Sequence, residues 1–243
     1  MKLRVDIKDA LDGRVLVITG AGLSADSGLQ TFRGVGGLWR NYNPMTLATL
    51  EAFARDPKLV WEWYQWRRAE AAKATPNAAH LALARLARRQ PECLIVTQNV
   101  DDLHERANTP MNQLVHVHGN LFSNRCQTCE YSDNERIHDD QIPPRCPKCR
   151  QRLLRPGVVW FGEGLDSAVL RRIDDFLRAG KCSLALAIGT TASFPYIIDW
   201  QAHAKRQGAL LIEVNPEETP LSEFADAVYR ERAAEALPKL LNV

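Results

Sequence analysis

The segment 15–28 constrains this chain more than any other. It begins with the apolar run Val15–Ile18, continues through Gly20 and Gly22, and ends in small polar residues that can open a helix. A buried strand leading through a glycine turn into a helix suits phosphate, because glycines admit close backbone approach and the helix start offers free N–H groups. Gly20-x-Gly22-x-x-Ala25 fits the dinucleotide fingerprint in its G-x-G-x-x-A form. Taken alone, the pattern fits an ordinary strand–turn–helix equally well.

Length and composition describe an ordinary globular protein. The chain has 243 residues, 45% of them hydrophobic and 25% charged, with a formal net charge of +2. That balance gives no electrostatic reason to expect nucleic acid or an anionic membrane as a partner. No apolar run approaches the roughly 20 residues of a membrane-spanning helix, and the first residues lack the apolar centre of a signal peptide. We therefore expect a cytoplasmic protein with reduced cysteines, and the count of six favours metal binding or catalysis over disulfides. Cys93 and Cys182 lie next to apolar strands and are expected to be buried, inert thiols.

The chain is longer between its first two strands than a minimal strand–helix–strand unit. Residues 1–13 favour a short helical lead-in. After the first strand, Thr31–Trp39 is a glycine-rich loop that could close over a ligand or simply lie on the surface. Residues 45–89 are predicted to be helical almost throughout. A second strand follows only at Leu94–Thr97, so a long helical insertion separates strands that adjoin in a simple dinucleotide fold.

Polar side chains follow the second strand where it ends. Gln98, Asn99 and Asp101 could hydrogen-bond a ribose or a carboxamide, because the carboxyl ends of parallel strands face the ligand crevice of open α/β sheets. Capping of the next short helix by Asn99 or Asp101 explains the same residues equally well. The spacing alone leaves the two interpretations open.

The third predicted strand, Leu114–His118, is followed by Gly119. Its alternation places Val115 and Val117 on one face and the two histidines on the other. At the strand end His118 can reach a ligand, and a neutral imidazole is the usual general base near physiological pH. The alternative is a structural histidine that is hydrogen-bonded in the core.

Residues 121–155 differ from the rest, since they are short of aliphatic side chains and rich in charges and turns. They contain two Cys-x-x-Cys pairs with the spacing of a tetrahedral four-thiolate zinc site. Four thiolates leave no open coordination position, so we expect one structural zinc. Redox dithiols or a chance pattern are the alternatives. The expected ligands are Cys126, Cys129, Cys146 and Cys149.

Beyond the cysteines the alternation of strands and helices resumes at Val158–Phe161. It predicts strands at 184–188, 209–214 and 227–229 and helices near 166–179, 195–207 and 233–241. The fold class is therefore α/β, a Rossmann-like doubly wound parallel sheet with a smaller zinc-binding and helical domain. We expect a Rossmann-like domain formed by 1–30, 90–120 and 156–243, a cofactor loop and helical insertion at 31–89, and a zinc-binding module at 121–155.

In combination these motifs resemble those of the sirtuins, the NAD-dependent protein lysine deacylases. The resemblance covers essentially the whole chain. The matching motifs, in the family's order, are Gly20–Gly28 with Phe32-Arg33, Thr97–Asp101, His118-Gly119, the cysteine tetrad, Val158–Gly162, Gly189-Thr190 and Val214-Asn215. Within the family the chain is similar to the class III bacterial members, which remove succinyl and malonyl groups.

The resemblance implies the reaction and the role of each matching position. The acyl oxygen of a modified lysine would attack the ribose C1′ of NAD and nicotinamide would leave. His118 would then deprotonate a ribose hydroxyl that attacks the imidate, which yields lysine and O-acyl-ADP-ribose. The implied NAD-binding residues are Gly20, Ala21, Gly22 and Ser24 in the glycine turn, Phe32, Arg33 and Trp39 in the loop, Gln98, Asn99 and Asp101 at the nicotinamide and ribose, and Gly189, Thr190, Thr191, Asn215 and Ala233. Val158 and Phe161 would border the acyl-lysine tunnel.

Within the family, Tyr64-x-x-Arg67 resembles the signature of the class that removes acidic acyl groups. Residues three apart share one helix face, and an arginine fork with a phenol suits a carboxylate. Ala48 matches a small residue that widens the acyl pocket in that class. The alternative is an arginine stacked on Trp63 or another aromatic residue of this helix.

Three positions depart from the family pattern on the nucleotide side. Gln30 replaces a common proline, Thr191 a frequent serine and Phe194 a small aliphatic residue. These three departures leave the resemblance to the family intact, but the individual contacts to the adenosine can differ from those of the family.

Other functions remain open from the sequence. Protein ADP-ribosyl transfer would use the same pocket. A nicotinamide-dependent dehydrogenase would need an acidic ribose ligand about 20 residues after the fingerprint, which is missing here. A zinc-ribbon nucleic-acid-binding protein is disfavoured by the charge balance. The expected partners are acylated-lysine proteins, without specific nucleic acid or membrane, and we expect a monomer.

Overall fold

The structure, a computed structural model, describes residues 7–32, 37, 42–134 and 142–242. The strands are β1 (Arg14–Thr19), β2 (Cys93–Thr97), β3 (Leu114–His116), β4 (Gly119–Cys126), β5 (Ser132–Asp133), β6 (Leu154–Val158), β7 (Cys182–Ile188), β8 (Leu210–Val214) and β9 (Ala227–Tyr229). The α-helices are α1 (Gly22–Ala25), α2 (Pro44–Leu47), α3 (Leu50–Arg55), α4 (Pro57–Lys73), α5 (Ala78–Arg89), α6 (Leu103–Arg106), α7 (Ser167–Ala179), α8 (Pro195–Arg206) and α9 (Ala233–Leu240).

Six strands form one sheet in the order β3-β2-β1-β7-β8-β9. Every neighbouring pair in it is parallel. The run Val15–Ile18 is fully buried, as expected of a strand covered on both faces. The predicted α/β class with a doubly wound parallel sheet is therefore confirmed.

Alternate residues of β1 enter different cores, which explains why both faces of the sheet carry helices. Val17 packs in one core cluster with Leu83 of α5, and α9 covers the same face. Ile18 packs in a second cluster with Ile197 of α8, and α7 covers that face. Because side chains alternate along a strand, an unbroken apolar run supplies both cores at once.

The order in which the chain adds strands to the sheet reverses between β1 and β7. Strands β2 and β3, which follow β1 in the chain, lie on one side of β1 in the sheet, and the later strands β7, β8 and β9 lie on its other side. In open α/β sheets, ligands bind outside the carboxyl ends of the strands at such a switch point. The glycine turn after β1 and Gly189 after β7 meet there.

The remaining elements form a smaller region beside the switch point. Helices α2–α4 pack on a three-stranded antiparallel sheet of order β5-β4-β6. Trp61 of α4 is fully buried there and donates a hydrogen bond from Nε1 to the Leu154 carbonyl at 2.8 Å. The helical insertion and the small sheet therefore share one core.

The apolar residues near 158 do not add a strand to the parallel sheet. Leu154–Val158 pairs antiparallel with β4, so the α/β alternation resumes with α7. An apolar run specifies a buried strand but not its partner, which is why the sequence pattern placed it with the larger sheet. The small sheet spans residues 119–158, and the division into domains at 121–155 stays a prediction.

The predicted helical lead-in is a 3₁₀ turn at Asp9–Asp12, and residues 1–6 lie outside the described part of the chain. None of the described helices combines the length and apolarity that crossing a bilayer requires.

Candidate active site

A cavity of about 900 Å³ lies at the switch point, between the parallel sheet and the smaller region. Most residues predicted to bind NAD or the acyl group line it. They are Gly20, Ala21, Gly22, Phe32, Ala48, Tyr64, Arg67, Gln98, Asn99, His118, Val158, Phe161, Gly189, Thr190, Thr191, Asn215 and Ala233. Residues separated by more than two hundred positions thus share one cavity.

The glycine turn after β1 is packed against the loop after β7. A Cβ on Gly20 would lie 2.7 Å from the Gly189 carbonyl oxygen, and one on Gly22 would lie 2.8 Å from Gly189 Cα. Gly189 itself has φ +56° and faces the start of α1. The Gly22 N–H donates to the Gly189 carbonyl at 2.8 Å. Close contact between two strand-end loops, rather than phosphate approach alone, therefore requires these glycines.

The ends of β2 and β8 are each linked by a side chain to Thr190, which follows β7. Gln98, after β2, donates from Nε2 to the Thr190 hydroxyl at 2.7 Å. Asn215, after β8, donates from Nδ2 to the Thr190 carbonyl at 2.8 Å. These bonds fix the floor of the cavity at the positions where a nucleotide was predicted.

Ser24 and Asp101 lie just behind the cavity wall. The Ser24 hydroxyl donates to an Asp101 carboxylate oxygen at 3.0 Å and accepts from Asn99 Nδ2 at 3.1 Å. Asp101 also accepts from the N–H of Leu103, the first residue of α6, at 3.2 Å. The N-cap position itself is occupied by Asp102, which makes no side-chain capping bond. Burial raises the pKa of Asp101 even though both hydrogen bonds act in the opposite direction.

His118 follows β3 and faces the cavity. Its Nδ1 lies 3.0 Å from the Gln98 carbonyl oxygen and its Nε2 lies 2.6 Å from the Tyr196 hydroxyl. Gly119 has φ +77°, and a Cβ there would lie 2.1 Å from the Gly157 carbonyl oxygen. The glycine thus allows the chain to turn from β3 into the small sheet while the imidazole stays at the sheet edge.

At the other end of the cavity, aromatic side chains surround Tyr64. Its hydroxyl accepts a hydrogen bond from Trp160 Nε1 at 2.8 Å, and its ring meets Trp63 edge-on at 4.7 Å. Burial raises the pKa of Tyr64 to about 12, so the phenol is protonated near neutral pH. Since the bond from Trp160 uses only a lone pair, the Tyr64 proton can still be donated to a ligand.

The adjacent arginines of α4 differ in their partners. Arg68 is buried and donates to the Leu121 and Ser123 carbonyls at 2.6 and 3.0 Å, which ties α4 to β4. Arg67 lines the cavity, with its guanidinium 4.7 Å from the Phe32 ring centre and 5.4 Å from that of Trp63. None of the described residues accepts a hydrogen bond from Arg67. The expected stacking is present, and the donors of Arg67 remain available to an anion in the cavity.

The four cysteines of the small region are brought together. Their sulfur atoms all lie within 4.8 Å of one another, with Cys126 and Cys149 3.8 Å apart and Cys129 and Cys146 3.6 Å apart. A tetrahedral ion with Zn–S bonds of about 2.3 Å places its sulfurs about 3.8 Å apart. The four cysteines therefore fit a structural zinc site, and the predicted ligand set is consistent with this geometry.

Comparison with known proteins assigns the family. The Sir2 family model matches residues 20–194, which include the glycine turn, His118 and all four cysteines. This chain belongs to the Sir2 family. The resemblance to sirtuins, stated above from the sequence motifs, is confirmed.

Similar Sir2 proteins carry names and ligands that bear on the cavity. An NAD-dependent protein deacylase of Aquifex aeolicus (strain VF5) is 44% identical over 238 residues, covering 94% of each chain. A mutant Sir2 homologue in complex with ADP-ribose superposes with a TM-score of 0.89 at 42% identity, covering 97% of this chain and 94% of that one. A Sir2 homologue in complex with NAD gives a TM-score of 0.86 at 41% identity, with coverage of 97% and 91%.

Two of the Sir2 positions predicted to bind NAD, Arg33 and Trp39, lie outside the described residues. The roles of the other predicted site residues stay predictions, although the structure places nearly all of them at one cavity.

The sequence motifs missed four aromatic residues that line this cavity in the Sir2 fold. Phe194 was noted only as a departure from the family pattern. Trp63 was considered only as a stacking partner of Arg67, Trp160 only as part of the motif Val158–Gly162, and Tyr196 was not singled out. Trp160 lies within the recognised motif Val158–Gly162, and Tyr196 follows the recognised motif Gly189-Thr190. Their proximity to those motifs was the available signal.

Proposed function

We propose that this protein is an NAD-dependent protein lysine deacylase. NAD supplies the ADP-ribosyl group that receives the acyl group, and nicotinamide is released. The observation that carries the proposal is the position of His118 at the carboxyl edge of the sheet, within a cavity that also presents Gln98, Thr190 and Asn215. The family assignment and the deacylase names of similar proteins support it.

His118 is the proposed base of the reaction. The Gln98 carbonyl can only accept a hydrogen bond, so the neutral imidazole carries its proton on Nδ1 and presents the Nε2 lone pair. A base oriented in this way can take the proton of a ribose hydroxyl when NAD is bound. Gln98 and Asn99 then hold the nicotinamide and ribose side, the glycine turn holds the pyrophosphate, and Asn215 holds the adenosine side.

We further propose that acidic acyl groups, succinyl and malonyl, are the preferred substrates. Such a group brings a carboxylate into a cavity end that is otherwise aromatic. Arg67 can pair with it as a charge-assisted donor, and the Tyr64 hydroxyl can add a second hydrogen bond. Ala48 leaves room at the same end, because it carries only a methyl group.

The small region has a structural part in this proposal. The cysteine tetrad would hold one zinc ion and so stabilise the small sheet, whose strand β6 ends at Val158 in the cavity. Four thiolates must be reduced to bind zinc, which suits a reducing compartment such as the cytoplasm. The metal takes no part in the acyl transfer itself, since four sulfur ligands complete its coordination.

Mass spectrometry of acyl-lysine peptides incubated with NAD tests the function. Acetyl-, succinyl- and malonyl-lysine versions of one peptide should each be compared with and without NAD. We expect NAD-dependent loss of the acyl mass together with O-acyl-ADP-ribose, fastest for the acidic groups. No loss on any peptide would reject the proposal, and the mass of ADP-ribose added to protein would favour ADP-ribosyl transfer instead.

A further inference from the structure

Both ring nitrogens of His118 are engaged by neighbouring groups. Nδ1 lies 3.0 Å from the Gln98 carbonyl oxygen, and Nε2 lies 2.6 Å from the Tyr196 hydroxyl. Because the carbonyl fixes the Nδ1–H tautomer, the Nε2 lone pair accepts the Tyr196 O–H. The nitrogen expected to receive the substrate proton is already bonded to a phenol.

Packing fixes the position of the Tyr196 hydroxyl. Tyr196 lies in the first turn of α8, directly after Pro195, which begins the helix. Its ring stacks on Phe194 with centres 5.4 Å apart and planes 14° apart. It also contacts Trp200, which is buried, with centres 5.3 Å apart. Aromatic contacts of this kind resist the rotation that would remove the hydroxyl from His118.

Tyr196 also lines the cavity in which a substrate would bind. A hydroxyl can donate one hydrogen bond and accept another at the same time. Tyr196 can therefore donate to Nε2 while it accepts a hydrogen bond from a substrate hydroxyl.

We propose that Tyr196 is a further catalytic residue, which passes the proton of the ribose hydroxyl to His118; this proposal rests on the proposed deacylase function. In the step, the ribose O–H bond breaks as a new Tyr196 O–H bond forms. The original Tyr196 O–H bond breaks as the His118 Nε2–H bond forms. The electron pair of the ribose O–H stays on the ribose oxygen, which becomes the nucleophile, and the positive charge ends on an imidazolium that still donates to the Gln98 carbonyl.

The test uses Tyr196→Phe, which keeps the ring and both aromatic contacts but removes the hydroxyl. Two rates separate the steps of the reaction. Exchange of labelled nicotinamide into NAD, with acyl-peptide present, reports nicotinamide departure, which precedes proton transfer to His118. Formation of O-acyl-ADP-ribose at saturating NAD reports the complete reaction.

We expect Tyr196→Phe to lower kcat for O-acyl-ADP-ribose formation by about 10- to 100-fold, part of the 10²–10⁴-fold typical of a general base. The rate of nicotinamide exchange and the KM for NAD should change by less than about twofold, because the base-dependent step comes after NAD binding and nicotinamide departure. His118→Ala should give the same pattern with a larger loss. Tyr229→Phe is the matched control, since Tyr229 of β9 is partly buried against the core and does not line this cavity.

Other outcomes would overturn the proposal. Equal losses in exchange and product formation would mean that Tyr196 shapes the cavity rather than carrying a proton. Faster product formation would mean that Tyr196 obstructs His118. A wild-type enzyme without exchange or deacylation would reject the proposed function and the relay together, whereas an active wild type and an equally active Tyr196→Phe variant would reject the relay alone.

Discussion

The two walls of the cavity are built by different means. The sheet wall comes from the carboxyl ends of β1, β2, β7 and β8, whose backbones are aligned by the parallel ladder. The acyl wall comes from the helical insertion and the end of β6, where side chains such as Tyr64 and Trp160 set each other's positions. A regular backbone therefore places the proposed chemistry, and side-chain packing places the proposed acyl selection.

An ion cluster supports the acyl wall where no regular ladder does. Arg155 pairs with both oxygens of Glu163 at 2.7 and 2.8 Å, and its guanidinium lies 3.5 Å from the centre of the Trp160 ring. Glu163 also accepts from the Trp160 N–H at 2.7 Å and from Arg125. Burial opposes ionisation of Glu163, but the two arginines and the Trp160 N–H hold its pKa below the ordinary value. The acyl wall thus depends on an ion cluster and, in the proposed function, on the zinc-binding cysteines of the small sheet, whereas the sheet wall depends on apolar burial.

The largest effect should come from removing zinc. Chelation or Cys126→Ser should release one zinc per chain and strongly destabilise or aggregate the protein, because structural zinc in small peptides contributes about 10–16 kcal/mol of binding energy that is also folding energy. Elemental analysis measures the metal, and hydrogen exchange should show β4 and β6 losing protection before β1 and β7.

Cys93→Ala is the control for zinc removal, since Cys93 is a buried thiol of β2 and should leave the zinc content at one. Active protein without zinc, or equal loss of protection in both sheets, would contradict the comparison between the two walls.

The next largest effect should come from the sheet wall. His118→Ala should lower deacylation by about 10²–10⁴-fold with the fold intact, because a positioned general base contributes that much. Turnover of acyl-peptide with NAD measures the loss, and thermal unfolding checks the fold. His203→Ala on α8 should keep normal turnover. Near-normal turnover in His118→Ala would show that the base lies elsewhere.

Arg67→Met should affect the acyl wall alone and should therefore lower activity on one class of acyl group and not on another. The change keeps apolar bulk against Phe32 and Trp63 but removes the donors for a carboxylate. We expect kcat/KM for succinyl-peptide to fall by about 10- to 100-fold, which corresponds to about 1.4–2.8 kcal/mol, while acetyl-peptide turnover holds or improves. The ratio of the two activities is the decisive measurement.

Arg85→Met, an exposed arginine of α5, is the control for Arg67→Met. Equal losses on both peptides would mean that Arg67 supports helix α4, and the succinyl preference would have to be abandoned.

The contrast between the walls also explains what the sequence could predict. The end of a strand is marked by neighbouring residues in the sequence, since an apolar run gives way to turn or polar residues. The sheet wall can therefore be located from Val15–Ile18, which glycines follow, and from Leu94–Thr97, which Gln98 follows. The alternation of Val115 and Val117 with two histidines likewise survives in the structure, where both valines are buried.

The acyl wall could be predicted only through the family resemblance. Nothing local distinguishes Arg67, which faces the cavity, from Arg68, which ties α4 to β4. Contacts such as Trp160 to Tyr64, or Tyr196 to His118, join residues that are distant in sequence, so periodicity carries no signal for them. For the same reason, the sequence carries no signal that Leu154–Val158 pairs antiparallel with β4.

The smallest effect should come from a charge pair beside the sheet wall, between β3 and α6. His116 Nε2 lies 3.0 Å from Glu105, and its Nδ1 lies 3.0 Å from the Asn99 carbonyl oxygen. Burial alone would lower the pKa of His116, but Glu105 and that carbonyl outweigh it and raise the pKa. Because the pKa of His116 is higher in the folded protein than in the unfolded chain, the ion pair stabilises the fold. This stabilisation is fully present at pH values below the unfolded pKa of about 6.5, and it is lost as the pH rises through the folded pKa.

Glu105→Gln should therefore lower the thermal midpoint more at pH 6 than at pH 9. About 1 kcal/mol at pH 6 corresponds to about 2–4 °C for a domain of this size. Taking the difference between wild type and variant at each pH removes the contribution of His80, whose pKa burial lowers to about 4 and which destabilises both proteins in acid. Glu70→Gln, in an exposed pair with Lys73, should show no such trend. A difference that is constant from pH 6 to 9 would mean that Glu105 acts only through its hydrogen bond from Asn120, which glutamine can keep.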